Sequence, residues 1–382
     1  MRLNDCHNVE DFRKLAKDRI PSSLFHYIDG GADDESSLRR NTSAFEEFDL
    51  IPNGLADVDN IDLSTTILGQ KVSSPLFLAP TGMSRLFNHD GERAAALAAE
   101  NYNQYYSLST LSSVSIEEIG ALTSSPKMFQ IYIHKDRELT YELIERCKKA
   151  NFNSLCLTID TIVAGNRERD LKTGMTMPPK FTISSLLGFA MRPRWVYNYF
   201  THEAFELANL AGKTKKGGKE SIPVIDYVNS QFDTNLCWDD AQKAIESWGG
   251  PFAIKGVMSV DDAKRSVDVG ASAIMVSNHG GRQLDSSPAP FDLLSDIADA
   301  VGDKIEIICD GGIRRGTHIL KALALGADAC SIGRPYLYGL AAGGQKGVES
   351  VLAKFQAELT RNMMLMGINN LSQLDLTRVR KR

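Results

Sequence analysis

The sequence predicts an α/β fold, namely a TIM (β/α)8 barrel with an N-terminal helical extension and a long insertion after strand four. Short β-rich apolar runs alternate with segments of helical periodicity, and there are eight such units, the number that this barrel needs. The runs do not alternate between apolar and polar residues, as expected for strands that are buried on both faces. A doubly wound sheet is the main alternative.

The predicted strands follow one another in order along the chain. Helical segments such as GERAAALAAE and RRGTHILKALALGA come after them. The runs begin at Pro75, Tyr105, Met128, Ser154, Pro251, Ala273, Ile305 and Asp328.

The long stretch between the fourth and fifth runs is the insertion. It leaves from the C-terminal end of a strand, where barrel enzymes place their active sites, so we predict a lid or docking element. The predicted organisation is an extension over residues 1–70 that packs on the barrel, the barrel over 71–370 with the insertion inside 161–250, and a tail over 371–382.

Composition and charge exclude several classes of partner. The 382 residues carry a formal net charge of −5, so no overall positive field attracts nucleic acid. The six cysteines form no CxxC pair, which favours buried thiols in a reducing compartment and offers no metal-binding motif. The N-terminus lacks the apolar core of a signal peptide, and the predicted location is the cytoplasm.

Glycines and arginines after the last two strands predict a phosphate site. No GxGxxG string joins a strand to a helix, which argues against NAD. Loops after strands seven and eight of TIM barrels commonly cradle a phosphate, because glycine permits close approach and backbone N–H groups favour an anion. The alternative is that these glycines only make tight turns. The predicted phosphate residues are Asp310, Gly311, Gly312, Arg314, Gly333 and Arg334.

The string SNHGGRQLD, at the end of the sixth run, predicts a hydroxy-acid site. His279 can accept a proton near neutral pH, and Arg282 offers a planar guanidinium to a carboxylate. Both would lie at the mouth of the barrel. His134, after the third run, is the competing base, and spacing alone leaves it open.

Three further charged residues end strands or begin loops at the same mouth. Asp160 would orient His279 and fix its tautomer. Arg167 lies just beyond, where an ordinary surface role is equally consistent. Lys255 ends the fifth run, and a buried lysine needs a negative partner, which a reduced flavin would supply. A Schiff-base lysine and a structural ion pair are the alternatives for Lys255.

These motifs together resemble one family. SNHGGRQLD, APTG from Ala79, FQIY from Phe129, TID from Thr158 and DGGIRRG from Asp310 are similar to the FMN-dependent 2-hydroxy acid dehydrogenases and oxidases. That family includes L-lactate dehydrogenase, glycolate oxidase, lactate oxidase and mandelate dehydrogenase. The resemblance runs from about Asn8 to the last helix and is strongest to the L-lactate and mandelate dehydrogenase branch.

The resemblance implies a role for each matching residue. His279 would be the base with Asp160 as its partner, Arg282, Arg167 and Tyr27 would hold the substrate carboxylate, and Tyr132 would hydrogen-bond the reacting hydroxyl group. FMN would be the cofactor, and its phosphate would lie on the residues named above, with the Asp310 carboxylate on the ribityl hydroxyl groups. The remaining flavin contacts implied by the resemblance are Ala79, Pro80, Thr81, Ser109, Gln130, Thr158, Lys255 and Ser277.

The resemblance also implies a reaction and its partners. A small L-2-hydroxy acid, with L-lactate as the leading substrate, would be oxidised to the 2-keto acid, and a quinone or another separate carrier would take the electrons. IVAGNRERDLKTG is similar to the dehydrogenase branch, whereas Ala79 is similar to the oxidase branch, so O2 stays open as acceptor. A homotetramer is implied. A mandelate-type dehydrogenase, an FMN-dependent isomerase and a non-catalytic FMN-binding barrel are the alternatives.

Part of the insertion is unusually basic. Residues 172–219 hold eight Lys or Arg and two acidic residues, a net charge of +6 in a chain that is acidic overall. The aromatic and aliphatic run FTISSLLGFAMRPRWVYNYF lies in this stretch, as is typical of segments in a lipid interface. We therefore predict an anionic membrane surface as a partner, with the protein peripheral on the inner face of the cell membrane. A solvated lid is the alternative.

Overall fold

A closed parallel barrel forms the centre of the molecule. The computed structural model describes residues 1–175, 188–210, 215–216, 220–221 and 231–382. In chain order the strands are β1 (Phe48–Leu50), β2 (Thr65–Ile67), β3 (Gln70–Val72), β4 (Leu76–Thr81), β5 (Tyr106–Ser109), β6 (Lys127–Ile131), β7 (Ser154–Thr158), β8 (Lys215–Lys216), β9 (Glu220–Ser221), β10 (Phe252–Val257), β11 (Ala273–Ser277), β12 (Glu306–Asp310), β13 (Ala329–Ile332) and β14 (Val379–Lys381).

The barrel consists of β4 to β7 followed by β10 to β13, and β13 pairs with β4 to close it. Each predicted run overlaps one of these strands, so the predicted TIM barrel is confirmed. The doubly wound alternative is wrong, because that sheet would stay open. All eight strands are almost wholly buried, in agreement with the missing two-residue alternation.

Helices surround the barrel. They are α1 (Val9–Arg19), α2 (Ser22–Asp29), α3 (Ser36–Ser43), α4 (Gly91–Asn101), α5 (Ile116–Leu122), α6 (Arg137–Lys149), α7 (Glu168–Thr173), α8 (Pro193–Thr201), α9 (Trp238–Trp248), α10 (Val260–Asp268), α11 (Leu294–Val301), α12 (Gly316–Ala324) and α13 (Arg334–Met366). Short 3-10 turns cover Leu3–Asp5, Ala44–Glu47, Ser84–Leu86, Pro290–Leu293, Leu371–Gln373 and Leu376–Arg378. Side-chain caps at Ser115, Asp136 and Ser259 begin three of the barrel helices.

The barrel interior is filled at its N-terminal end. A cluster of inward-facing side chains that includes Phe77, Tyr105 and Met275 packs against Ile67 and Leu68 of the β2–β3 hairpin. The hairpin therefore closes the mouth at the N-terminal strand ends. Functional side chains are left to the opposite mouth, as in other barrels of this kind.

The N-terminal segment packs on the barrel and brings α2 to the open mouth. Asp29, at the end of α2, accepts hydrogen bonds from Arg13, Arg169 and the Tyr338 hydroxyl group. Burial opposes the charge of Asp29, but these donors outweigh it and hold the pKa of Asp29 below its ordinary value. This network joins the N-terminal helices to α7 and α13.

The domain boundaries stay predictions. Strand β1 pairs with β14, so the predicted extension and the predicted tail contact each other. Of the basic segment 172–219, residues 176–187, 211–214 and 217–219 lie outside the described residues. Among the residues that the structure describes, no helix is long and apolar enough to cross a membrane.

Candidate active site

A cavity opens at the C-terminal ends of the barrel strands, and most of the predicted site residues line it. Gln130, Thr158, Ser277 and Asp160 are not part of its wall. Thr158 and Ser277 end barrel strands, Gln130 is the last residue but one of β6, and Asp160 lies two residues after β7. The predicted residues that line the cavity are Tyr27, Ala79, Pro80, Thr81, Ser109, Tyr132, Arg167, Lys255, His279, Arg282, Asp310, Gly311, Gly312, Arg314, Gly333 and Arg334.

His279 and Asp160 form a hydrogen-bonded pair at this mouth. His279 Nδ1 lies 2.9 Å from Asp160 Oδ1, and the two residues follow β11 and β7 respectively. A charged carboxylate accepts from Nδ1–H, which leaves Nε2 free to accept a proton. Burial opposes the charge of Asp160, but His279 outweighs it and lowers the pKa of Asp160. His279 has φ 56° and is followed by two glycines that also have positive φ, so the turn is tightly specified.

Two guanidinium groups face the same cavity around one aromatic ring. The Tyr27 ring lies 4.9 Å from the Arg282 guanidinium carbon and 5.6 Å from that of Arg167. Arg282 Nη1 donates to the carbonyl groups of Tyr27 and Gly30 at 2.6 and 3.0 Å. Burial and the neighbouring Arg167 lower the pKa of Arg282 to about 10. Two cations held this close favour an anion between them, such as a carboxylate.

Tyr132 completes this end of the cavity. Its ring packs edge-on against Phe232, with the ring centroids 5.8 Å apart. Burial raises the pKa of the Tyr132 hydroxyl group, and the nearby Asp160 carboxylate adds to the effect. Tyr132 is therefore a neutral hydrogen-bond donor across the physiological range.

Lys255 and Asp310 form a buried ion pair beneath the cavity. Lys255 Nζ lies 2.7 Å from Asp310 Oδ2 and donates to Ser277 Oγ at 2.7 Å. Asp310 also accepts from Ser277 at 2.6 Å and from Ser331. Burial alone would lower the pKa of Lys255, but the Asp310 and Asp160 carboxylates outweigh it and raise it. The structural ion pair was one of the three alternatives for Lys255, and the structure contains it.

Two partly buried arginines, Arg314 and Arg334, also line the cavity, and Arg334 shares the Gly30 carbonyl group with Arg282. Arg334 donates to the carbonyl groups of Ile28, Gly280 and Gly30, and the Arg314 side chain donates to the carbonyl group of Ile313. Neither forms an ion pair with an acidic residue in the described part of the chain. Burial lowers the pKa of both. Uncompensated guanidinium groups beside a glycine-rich loop fit a phosphate group.

The competing base, His134, lies outside the cavity. It is buried, and burial lowers its pKa to about 4. Its backbone bridges to Phe232 of the insertion. A histidine in this state is a poor proton acceptor at neutral pH, so the geometry favours His279.

Several residues that line the cavity were not predicted. Leu207 and Phe232 come from the insertion, and Phe87 comes from the loop after β4. Their sequence neighbourhoods carry no chemical motif, so no signal was available. Thr161 directly follows the predicted Asp160, and Ser331 lies two residues before the predicted Gly333, but a hydroxyl residue at such a position is common and gave no separate signal.

The fold and the cavity together define a class: TIM-barrel enzymes whose catalytic mouth gathers several cations that suit anionic ligands. The sequence profile of a family described as FMN-dependent dehydrogenase matches residues 16–381. The chain belongs to this family. FMN is accordingly its cofactor, and the unpaired Arg314 and Arg334 at the glycine loops fit the FMN phosphate.

Individual relatives cover nearly the whole chain. An L-lactate oxidase from Nostoc sp. is 41% identical over 372 residues, which covers 96% of each protein. An L-lactate dehydrogenase from Alcaligenes faecalis is 38% identical over 368 residues, covering 95% of this chain and 96% of the relative. The crystal structure of the monotopic membrane protein (S)-mandelate dehydrogenase has a TM-score of 0.94 at 33% identity and covers 99% of this chain and 100% of that chain. The chain is an FMN-dependent 2-hydroxy acid dehydrogenase or oxidase by family.

Proposed function

We propose that this enzyme oxidises L-lactate to the 2-keto acid and passes the electrons to a quinone or another separate acceptor. The observation that carries the proposal is that His279, paired with Asp160 at 2.9 Å, lines the same cavity as Arg282 and Arg167. A proton acceptor facing two cations suits a substrate that carries a hydroxyl group beside a carboxylate. Relatives named for L-lactate support the choice of substrate.

In this proposal each residue at the substrate end has one role. Arg282 and Arg167 bind the carboxylate, with Tyr27 supporting them. Tyr132 donates a hydrogen bond to the substrate hydroxyl oxygen. His279 Nε2 accepts a substrate proton, and Asp160 stabilises the imidazolium that forms. The same imidazole would serve whether the proton is removed from the hydroxyl group or from the adjacent carbon.

FMN, when bound, supplies the two-electron oxidant. We propose that Arg314, Arg334, Gly311, Gly312 and Gly333 hold its phosphate group. The ring end would then meet Ala79, Pro80, Thr81, Ser109, Gln130, Thr158, Lys255 and Ser277. The Lys255 ammonium group is held by Asp310, so a fixed positive charge is present at that end before any ligand binds. Asp310 is occupied by Lys255, Ser277 and Ser331, and its carboxylate acts through Lys255.

Anaerobic mixing with substrate tests the proposal directly. We expect L-lactate to bleach the flavin absorbance of the purified holoenzyme within seconds, and D-lactate to leave it unchanged. Bleaching by L-mandelate or glycolate alone would assign a mandelate-type or glycolate-type substrate instead. No bleaching by any L-2-hydroxy acid would overturn the proposal and favour a flavin-dependent isomerase or a non-catalytic FMN-binding barrel.

The acceptor is tested by the second half of the same experiment. After bleaching, the enzyme is mixed with either a soluble quinone or air-saturated buffer, and the return of the flavin absorbance is followed. We expect the quinone to restore it faster than O2 does. The reverse order would assign an L-2-hydroxy acid oxidase, which the L-lactate oxidase relative makes the main alternative.

We also propose peripheral attachment to an anionic membrane through α8 and its surroundings. Met191 and Phe200 are 69% and 78% exposed, and Tyr197 is also exposed beside Arg194. Apolar side chains with adjacent cations suit an anionic bilayer surface. The membrane protein (S)-mandelate dehydrogenase has the same fold at high similarity. The homotetramer implied by the resemblance stays a prediction.

Flotation with vesicles tests the attachment. We expect the protein to float with phosphatidylglycerol vesicles, and the triple variant Met191→Ser, Tyr197→Ser, Phe200→Ser to stay in the dense fraction. A matched control replaces exposed apolar residues on another surface, Leu284→Ser and Leu376→Ser. Equal recovery of the wild type and the triple variant would remove the idea.

A further inference from the structure

Thr161, the residue after Asp160, places its hydroxyl group against the proposed catalytic pair. Thr161 Oγ1 donates to Asp160 Oδ1 at 2.9 Å and lies 3.5 Å from His279 Nδ1. It also lines the cavity.

The Asp160 carboxylate depends on few donors. Both of its described side-chain hydrogen bonds, from Thr161 and His279, reach Oδ1. Oδ2 is buried and has no hydrogen-bond partner among the described residues. A buried carboxylate oxygen is costly without donors, so the two donors at Oδ1, Thr161 and His279, are what hold the carboxylate in place.

The backbone around Thr161 is fixed relative to His279. Gln283 Nε2 donates to the carbonyl groups of Asp160 and Val163, both at 2.9 Å, and Gln283 lies in the loop that carries His279. On the other side, a Cβ atom on Gly256 would lie 2.8 Å from Asp160 Cβ, so the backbone there packs closely against Asp160. Contacts with the loop that carries His279 and with the backbone at Gly256 therefore hold Thr161 and Asp160 in place.

We propose that Thr161 is a positioning residue that holds Asp160 by its Oδ1 atom beside His279, so that one hydroxyl group sets the orientation of the proton acceptor. This inference rests on the proposed function, in which His279 accepts the substrate proton. Thr161 acts through its neighbours and is not itself assigned a contact with the substrate.

The sign of the effect follows from the hydrogen bond. In Thr161→Val the carboxylate loses one donor, so its negative charge acts more fully on His279 and stabilises the imidazolium form. The other charged or titratable groups near the pair are Lys255, Asp310, Tyr132, Arg282 and Arg167. The substitution leaves all five in place. A change in the titration of His279 would therefore report the lost hydroxyl group.

The experiment compares Thr161→Val, Thr161→Ser and the control Thr173→Val. Thr173 Oγ1 donates to the Arg169 carbonyl group in its own helix, so the control removes a nearby hydroxyl group that does not touch the pair. The first readout is the titration of the His279 ring by NMR in holoenzyme, with the signal assigned among the seven histidines by its loss in His279→Gln. The second is the pH profile of kcat/KM with L-lactate.

We expect Thr161→Val to move the His279 titration and the acid limb of the pH profile upward by about half a pH unit. At a pH below that limb, kcat/KM then falls about threefold, which is the same half unit expressed as a rate. Thr161→Ser restores both values, and Thr173→Val changes neither. A purely structural role for Thr161 would lower thermal stability without moving either titration.

The outcomes separate this inference from the proposed function. An unmoved His279 titration in a folded Thr161→Val protein overturns the role of Thr161, whatever the activity. If wild-type flavin is not reduced by any L-2-hydroxy acid, the proposed function fails, and the NMR titration still decides whether Thr161 positions the Asp160–His279 pair. A shift that Thr161→Ser fails to restore would assign the effect to packing and would also overturn the role.

Discussion

At the barrel mouth formed by the N-terminal strand ends, backbone groups form hydrogen bonds with charged side chains. An apolar layer closes this mouth. Lys127 Nζ donates to the Thr123 carbonyl group at 2.9 Å, and Glu306 accepts from the Leu68 N–H at 2.8 Å. Leu68 belongs to the hairpin that fills this mouth. Both charged groups are hydrogen-bonded by the backbone and have little access to a ligand.

At the opposite mouth the cations are in excess and face a cavity. Arg282, Arg314 and Arg334 donate only to backbone carbonyl groups among their described hydrogen bonds, and burial lowers the pKa of each. The comparison shows how one barrel separates its tasks. The charged groups at the closed mouth have hydrogen-bond partners within the chain. The arginines at the open mouth have no anionic partner within the described residues and can bind an anionic ligand.

The largest expected effect is at His279. We expect His279→Gln to lower the rate of flavin reduction about 10²- to 10⁴-fold, because general base catalysis is lost while both anion sites remain. The measurement is anaerobic stopped-flow with L-lactate at matched flavin content. His134→Gln is the control, since His134 is buried outside the cavity. A wild-type rate in His279→Gln would assign the base elsewhere.

Breaking the ion pair under the cavity should cost stability as well as activity. In Lys255→Met the Asp310 carboxylate stays buried without its cation, and the free energy of unfolding should fall by about 3–5 kcal/mol. Urea denaturation of flavin-free protein measures this without a contribution from FMN binding. The double variant Lys255→Met, Asp310→Asn should recover part of the loss. An unchanged midpoint for the single variant would contradict the inferred coupling.

The substrate end should respond to the shape of the cation as well as its charge. We expect Arg282→Lys to lower kcat/KM for L-lactate roughly 10- to 100-fold, because lysine cannot present two parallel N–H groups to a carboxylate. The comparison substrate is an uncharged 2-hydroxy ester, for which the same variant should lose much less. Equal losses for acid and ester would mean that Arg282 does not bind the carboxylate.

The closed mouth should give the smallest effect. Burial raises the pKa of Glu306, more than its hydrogen bond from Leu68 lowers it. A carboxyl group whose folded-state pKa is raised makes folding less favourable as pH rises from its unfolded pKa through the folded one. Glu306→Gln keeps an acceptor oxygen and removes the charge, so we expect it to stabilise the protein at pH 7 by under about 1 kcal/mol, with the gain vanishing near pH 4. Thermal unfolding at the two pH values measures this, and unchanged lactate oxidation completes the contrast with the open mouth.

The barrel could be predicted because its signal is local. Each strand is a short apolar run that needs no partner to be recognised, and all eight overlap observed strands. The site was predictable where a titratable or charged residue follows closely on a strand, as His279 and Arg282 do after β11. The sequence offers an ion pair for Lys255 only as an alternative and does not name Asp310 as its partner. This pairing crosses from β10 to β12 over Ser277, so it depends on the stagger of the barrel.

The walls that shape the substrate pocket could not be predicted. Leu207 and Phe232 reach the cavity from a long insertion, and each is an ordinary apolar residue in its own sequence context. Thr161 gave no separate signal either, since threonine after a strand is common. Such roles arise from three-dimensional proximity and not from residue type.

The turn that carries His279 also touches the phosphate end. Arg334 Nη1 donates to the Gly280 carbonyl group at 2.9 Å, and a Cβ atom added to Gly280 would lie 2.7 Å from that nitrogen. Three successive left-handed residues leave the segment little freedom to relax. For protein engineering, this means that random libraries over positions 279–281 would change turnover and flavin retention together. Libraries in the insertion, around Leu207 and Phe232, offer the better route to a new substrate range with the cofactor retained.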